Sequence, residues 1–133
     1  MSTTPASTSV TTTSTASRAG KPDKPAGGLI EITDSNFDVE VSGSPLPVLV
    51  DFTAAWCRPC RVIAPHVEAV AAANQGRLRV GKCDVDANQQ LTARLDVRSM
   101  PTLMLFKDGQ VIGQIVGAVP RAKIDALVAR ALA

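Results

Sequence analysis

Apolar and polar positions alternate along most of the chain with periods that switch between two and about 3.6, the signature of strands and helices in turn. Leu29 to Ile32 forms a short apolar run and predicts a strand. Thr33-Asp34-Ser35 offers N-cap side chains for a short helix carrying Phe37 and Val39. Pro45 and Pro47 mark a loop, and Val48-Leu49-Val50-Asp51-Phe52-Thr53 is β-rich and apolar except for Asp51. A run of that kind is expected of a strand covered on both faces. A helix follows from about Cys57 to Ala73, with Val62, Ile63, Val67 and Val70 as its apolar stripe and Pro65 expected to kink it. Gly76 punctuates its end.

Leu78 to Val85 predicts a further strand, and Leu91 and Leu95 anchor a short helix over Gln89 to Leu95. Thr102 to Lys107, the turn Asp108-Gly109 and Gln110 to Val116 read as a β-hairpin. A last helix begins near Pro120 and places Ile124, Leu127, Val128, Ala131 and Leu132 at helical spacing. Helices between strands imply parallel pairing, and the hairpin adds antiparallel strands. The expected class is α/β, with a mixed central sheet and helices on both faces.

The first 28 residues carry no such periodicity. Up to Ser17 they are almost all Ser, Thr, Ala and Pro, too polar and small to offset the entropy of ordering. We expect a disordered tail over residues 1–28 and a single domain over residues 29–133. The tail lacks a basic start followed by an apolar core, so a secretory signal is not expected. Its Ser/Thr-rich, acid-poor composition also fits an organelle transit peptide, although a solvated tail on a cytoplasmic protein is the preferred reading. Three of the 14 basic residues and one of the 12 acidic ones fall in this tail, so the remainder is balanced and the net charge of +2 resides there. No basic stripe points to nucleic acid, and no apolar run reaches the length of a membrane span.

With 45% hydrophobic residues the domain can build a core, but aromatics are scarce, so the core must be Val, Leu, Ile and Ala. The cysteines are three: Cys57 and Cys60 in Trp56-Cys57-Arg58-Pro59-Cys60, and Cys83. Three is too few for a secreted disulfide scaffold. The C-x-x-C pair could hold a metal, exchange disulfides or lie inert in a core. A C-x-x-C beside a β-α-β pattern favours redox chemistry. At the start of a helix, a Cys57 thiolate would face unpaired N–H groups and the positive end of the dipole, which lowers its pKa and makes it the nucleophile. Cys60, one turn on, would resolve the mixed disulfide. Pro59 stiffens the turn, and Arg58 adds a cation that favours the thiolate and a more oxidising disulfide. A structural zinc site would need two further ligands, and Cys83 and the single His66 are not paired at local spacing. Cys83 reads as a small buried hydrophobe in preference to a regulatory thiol. His66 reads as a surface residue.

VLVDF, WC-x-PC, Pro65 in the helix, Lys82 followed by D-x-D, then MPT, FKDG and VGA together resemble the thioredoxin family over nearly the whole of residues 29–133. The resemblance implies the thioredoxin fold and a cis peptide bond before Pro101. It implies that Asp51 is a buried carboxylate beneath the disulfide that helps deprotonate Cys60, with Lys82 as its charge partner. A lone carboxylate in an apolar strand should have a raised pKa, as a proton acceptor near neutrality requires; the alternative is that Asp51 only pairs with Lys82. Trp56, Arg58, Pro59, Met100, Pro101, Gly117 and Ala118 would form the docking surface, where Met100 backbone groups pair with an extended substrate. Gly117 would allow that approach or simply end a strand. Two positions depart from the family pattern, Arg58 where glycine is usual and Thr53 where tryptophan is frequent.

The expected function is that of a monomeric, general protein-disulfide reductase. Its redox centre is its own dithiol, with no bound cofactor and no metal. Its partners would be disulfide-containing proteins and an NADPH-dependent thioredoxin reductase. The rival expectations are a more oxidising disulfide exchanger of isomerase type, and a non-enzymatic binding module of a larger assembly.

Overall fold

The run Val48–Thr53 forms the central strand of a five-stranded sheet in the computed structural model, which describes residues 29–132. The expected tail over residues 1–28 lies outside the described residues. The strands are β1 (Ile30–Glu31), β2 (Val48–Thr53), β3 (Arg79–Asp84), β4 (Thr102–Lys107) and β5 (Gln110–Val116), in the spatial order β1-β3-β2-β4-β5. β3 runs parallel to β1 and β2, β4 runs antiparallel to β2, and β5 returns antiparallel to β4. The mixed sheet expected from the element order is therefore present. Asp108 and Gly109 both take positive φ, 54° and 81°, as a tight hairpin turn requires.

The period of two along β2 divides the core. Val48, Val50 and Phe52 face one side of the sheet with Met104, Phe106 and Cys83, under Phe37, Val41 and Leu91. Leu49, Leu103 and Leu105 face the other side, covered by helix α1 (Arg58–Ala73) through Ile63, Val67 and Val70 and by helix α3 (Arg121–Leu132) through Ile124 and Leu127. Each such fully buried aliphatic or aromatic side chain contributes about 1.5–3 kcal/mol relative to exposure. The short helix α2 (Gln89–Arg94) lies on the first side, where Leu91 is its buried residue.

Several boundaries differ from the sequence expectations. The first strand shrinks to Ile30–Glu31, and the second parallel strand to Arg79–Asp84. The short helix expected around Phe37 and Val39 is instead a turn followed by one π-helical turn over Asp38–Ser42. Thr33 does act as a cap, since its Oγ1 accepts from Asn36 N–H while Asn36 Oδ1 accepts from Thr33 N–H. Asp34 serves elsewhere, accepting the Leu91 N–H at 2.7 Å and so tying α2 to the loop after β1. α1 starts at Arg58 with Cys57 as its N-cap and runs unbroken through Pro65 to Ala73. Val62 leaves the predicted stripe and is 60% exposed. The stripe is Cys60, Ile63, Val67, Val70 and Ala71, and Val62 lies about 100° around the helix from Ile63.

Gly81 on β3 is required by packing. A Cβ there would stand 2.5 Å from Ile32 Cγ1 and 3.2 Å from the Ile30 carbonyl oxygen. Gly81→Ala should therefore destabilise the domain by about 1–3 kcal/mol through overpacking. Val62→Gln, at an exposed helix position, should stay within about 0.5 kcal/mol of the parent. Urea unfolding of both variants checks the pair, and a large cost at Val62 would mean that this face of α1 is covered.

Candidate active site

β2 ends at Thr53, a turn closes with Cys57 N–H donating to the Ala54 carbonyl at 3.1 Å, and α1 begins at once. This strand–turn–helix junction brings the two cysteines to the helix N-terminus. Cys57 and Cys60 are joined as a disulfide with Cα atoms 5.3 Å apart, and both are buried. Cys57 has extended backbone geometry as N-cap, and its Sγ accepts the Cys60 N–H at 3.2 Å. A thiolate on Cys57 would keep that donor and the partial positive charge of the helix end. Pro59 lies within the first two helical positions, where a missing N–H costs nothing. Arg58 is exposed at the first position, and the first turn carries no acidic residue.

Asp51 lies beneath this junction on β2, opposite Lys82 of β3 in the parallel register. It is 3% exposed, and its Oδ1 has no hydrogen-bond partner. Burial pushes its carboxyl pKa up to about 6, against a smaller lowering by the Lys82 charge. No Asp51–Lys82 ion pair forms within 4 Å, and Lys82 is exposed. The carboxyl is thus not consumed in a salt bridge. Asp51, Cys60, Lys82 and Arg61 share one cleft of about 280 Å³, also lined by Thr53 and Asp84. Asp51 and Cys60 thus open on the same space, and a proton path between them, direct or through water, would run through it. Thr53, one of the two departures from the family pattern, lines this same cleft.

Trp56 precedes the disulfide and is 64% exposed, yet its ring is tethered, since Nε1–H donates to Asp86 Oδ2 at 2.8 Å. Asp86 is a site residue that sequence reasoning quoted within D-x-D but gave no role. Its position is built by Asp84, whose Oδ1 accepts the Asp86 N–H at 2.9 Å, and by Asn88, whose Nδ2 donates to the Asp84 carbonyl at 2.9 Å. The Asn88 Oδ1 in turn accepts the Asp34 N–H at 2.9 Å. The legible signal was D-x-D-x-N directly after a strand, an Asx-turn pattern.

The Met100–Pro101 peptide bond is cis, as the resemblance implied. The Pro101 carbonyl accepts Gly117 N–H at 2.8 Å, which joins the start of β4 to the end of β5. Gly117 has φ 99°, as expected of a turn glycine at a strand end, with open space where a Cβ would stand. Met100 packs against the apolar cluster that contains both disulfide cysteines. Its backbone N–H and C=O find no hydrogen-bond partner among the described residues. Ala118 is exposed. Cys83 is wholly buried opposite Phe52 and free, and burial followed by the charges of Asp34, Asp84 and Glu31 pushes its thiol up to about 12. That thiol is inert at neutral pH. His66 is half-buried on α1. Among the described residues no group of three or more His, Cys, Asp or Glu is placed to hold a metal ion, and no helix is long and apolar enough to cross a membrane.

A mixed sheet whose central strand feeds a C-x-x-C disulfide at a helix start, above a buried carboxyl, defines a protein of thiol–disulfide exchange. The family model described as Thioredoxin matches residues 28–130. The chain is 46% identical over 95 residues to Thioredoxin 1 of a Nostoc species, covering 71% of this chain and 89% of that one. It is 44% identical over 98 residues to the thioredoxin of Pseudomonas aeruginosa, covering 74% and 91%. It is 45% identical over 101 residues to the bifunctional thioredoxin reductase/thioredoxin of Mycobacterium leprae, covering 76% of this chain and 22% of that protein. The chain belongs to the thioredoxin family and has its fold. It is a thiol–disulfide oxidoreductase that acts through its own dithiol and needs no separate cofactor.

The raised Asp51 pKa carries a stability consequence. The native carboxyl holds its proton to about pH 6, while the unfolded one, at an ordinary 3.8, has already released it. Stability is therefore lost as pH rises from about 4 through 6. Asp51→Asn, which cannot ionise, should be more stable than the parent at pH 8 by on the order of 2–3 kcal/mol, with the advantage gone below about pH 4. Denaturant unfolding at both pH values checks this, and a pH-independent difference would show that ionisation is not its cause.

Proposed function

We propose that this protein is a general reductant of disulfides in other proteins and that the residues of the C-x-x-C junction divide the work. The observation that carries the reading is the buried, unpartnered Asp51 carboxyl sharing a cleft with Cys60, directly under a disulfide seated at a helix N-terminus. In the reduced protein the Cys57 thiolate attacks one sulfur of a target disulfide. A Cys57–target bond forms, and the other target sulfur leaves as a thiolate and takes up a proton. Asp51 accepts the Cys60 proton, and the Cys60 thiolate attacks Cys57 sulfur. The Cys57–Cys60 bond forms and the second target sulfur leaves, so two electrons pass from this dithiol to the target. Lys82 tempers the Asp51 pKa from the mouth of the cleft. Trp56, Pro59, Met100, Pro101, Gly117 and Ala118 receive the target chain, with the free Met100 backbone groups available to an extended segment.

In this reading a thioredoxin reductase, drawing on NADPH, returns the disulfide to the dithiol. The Mycobacterium leprae relative, whose name joins a reductase and a thioredoxin in one chain, supports that pairing. Residues 29–133 form the working domain, in keeping with the 28–130 match. The protein works as a monomer in the cytoplasm. Its exposed large apolar residues Val39, Trp56, Val62, Val111 and Val116 are spread over four segments, and three cysteines with one C-x-x-C suit a reducing compartment.

The reduction potential of the Cys57–Cys60 couple tests the direction of exchange. A value near about −270 mV is expected, and one near about −180 mV would instead mark an oxidising exchanger of isomerase type. The division of labour has its own test. Cys60→Ser should accumulate a mixed disulfide between Cys57 and target proteins, visible by mass spectrometry and released by dithiothreitol. Cys57→Ser should trap none, and trapping through Cys60 would reverse the two roles.

A further inference from the structure

Arg58 separates this surface from an uncharged one. It stands at the first position of α1, between the two cysteines, exposed and with no ion pair or side-chain hydrogen bond among the described residues. Other arginines among the described residues are engaged. Arg98 pairs with Asp96 at 2.8 Å and Arg94 with Asp38 at 3.3 Å. Arg61, one turn beyond Arg58, donates to the Ala55 carbonyl at 2.8 Å and so holds its charge against the active-site loop. From Arg58 to Val67 the helix has two arginines and no acid. The acidic neighbour on the loop side, Asp86, has its Oδ2 committed to the Trp56 N–H.

The remaining residues proposed to receive the target, Trp56, Pro59, Met100, Pro101, Gly117 and Ala118, are uncharged. A target segment lying across them therefore meets the Arg58 guanidinium, which has no ion pair or side-chain hydrogen bond among the described residues, next to the reacting sulfurs. A carboxylate on that segment gains an opposite charge, and the guanidinium breaks no existing pair to meet it. A lysine there is repelled. We infer that this docking surface selects target disulfides flanked by aspartate or glutamate, and that Arg58 is the residue that makes the choice. The inference rests on the reductase reading above and adds the chemistry of its substrates.

The test uses the full reduced chain and three synthetic peptides, each with one disulfide and differing only in two flanking residues: both Glu, both Gln or both Lys. Rates of reduction are read by chromatography of the released dithiol peptide, at low and high salt. At low salt each carboxylate should raise kcat/KM by about threefold over the Gln peptide, and each lysine should lower it comparably, as unit charges about 7 Å apart in water interact. Added salt should shrink the ratios. The Glu-to-Gln rate ratio should fall to near one in Arg58→Gln and persist in Arg58→Lys. Using that ratio removes any effect of Arg58 on the potential, which scales all three rates together. Equal reduction of the three peptides by the parent, or an unchanged ratio in Arg58→Gln, would overturn the inference and leave the reductase standing. Reduction of none of them would instead remove the reductase reading, and this one with it.

Discussion

Val48, Leu49, Val50 and Phe52 of β2 are each at most 1% exposed, and this burial on both faces is the condition on which the rest of the molecule depends. A strand covered on both sides must be central, so β3 and β4 flank it and helices close each face. Its C-terminal end is then fixed to within the stiffness of a packed core. The turn that follows can deliver a helix N-terminus to one defined place. The disulfide occupies that place because the same six-residue strand is held by hydrogen bonds along both edges.

The same burial explains the chemistry. A carboxyl placed in this strand loses its water, and the structure supplies no hydrogen bond to Oδ1 in return. The ionised form is disfavoured and the pKa rises into the range where a proton can be taken and returned near neutrality. The strand that confers stability thus carries a group that subtracts from it, a trade commonly found where function needs a strained or desolvated residue. Cys83, on the neighbouring strand, shows the contrast. Its burial and the surrounding negative charges push the thiol far from reactivity, whereas Cys57 sits where backbone donors favour the thiolate.

Around the disulfide, polar contacts do what the scarce aromatics cannot. Trp56 is the sole tryptophan and is largely exposed, so packing alone does not orient it. Asp86 holds it, Asp84 and Asn88 hold the Asp86 turn, and Asn88 reaches across to the loop after β1. The turn that holds Trp56 is thereby connected to Asp34, 54 residues before Asn88 in sequence.

Much of this was legible in the chain itself. The central strand, the hairpin with its Asp108-Gly109 turn, the last helix and the C-x-x-C at a helix start all follow from local periodicity and turn chemistry, which act over a few residues. Asp51 was legible as the lone charge in an apolar run. Tertiary structure decided the remainder. Val62 reads as apolar, but which side of α1 meets the sheet is set by Ile63, Val67 and Val70 packing on Leu49, Leu103 and Leu105. Asp34 reads as a cap for the segment that follows it, yet its carboxylate is taken by Leu91 N–H, 57 residues away. The Trp56–Asp86 bond and the cleft joining Asp51 to Cys60 likewise unite residues from different elements. Sequence determines what each short segment prefers. Only the folded chain determines which of its polar groups find a partner and which, like Asp51 Oδ1, are left without one.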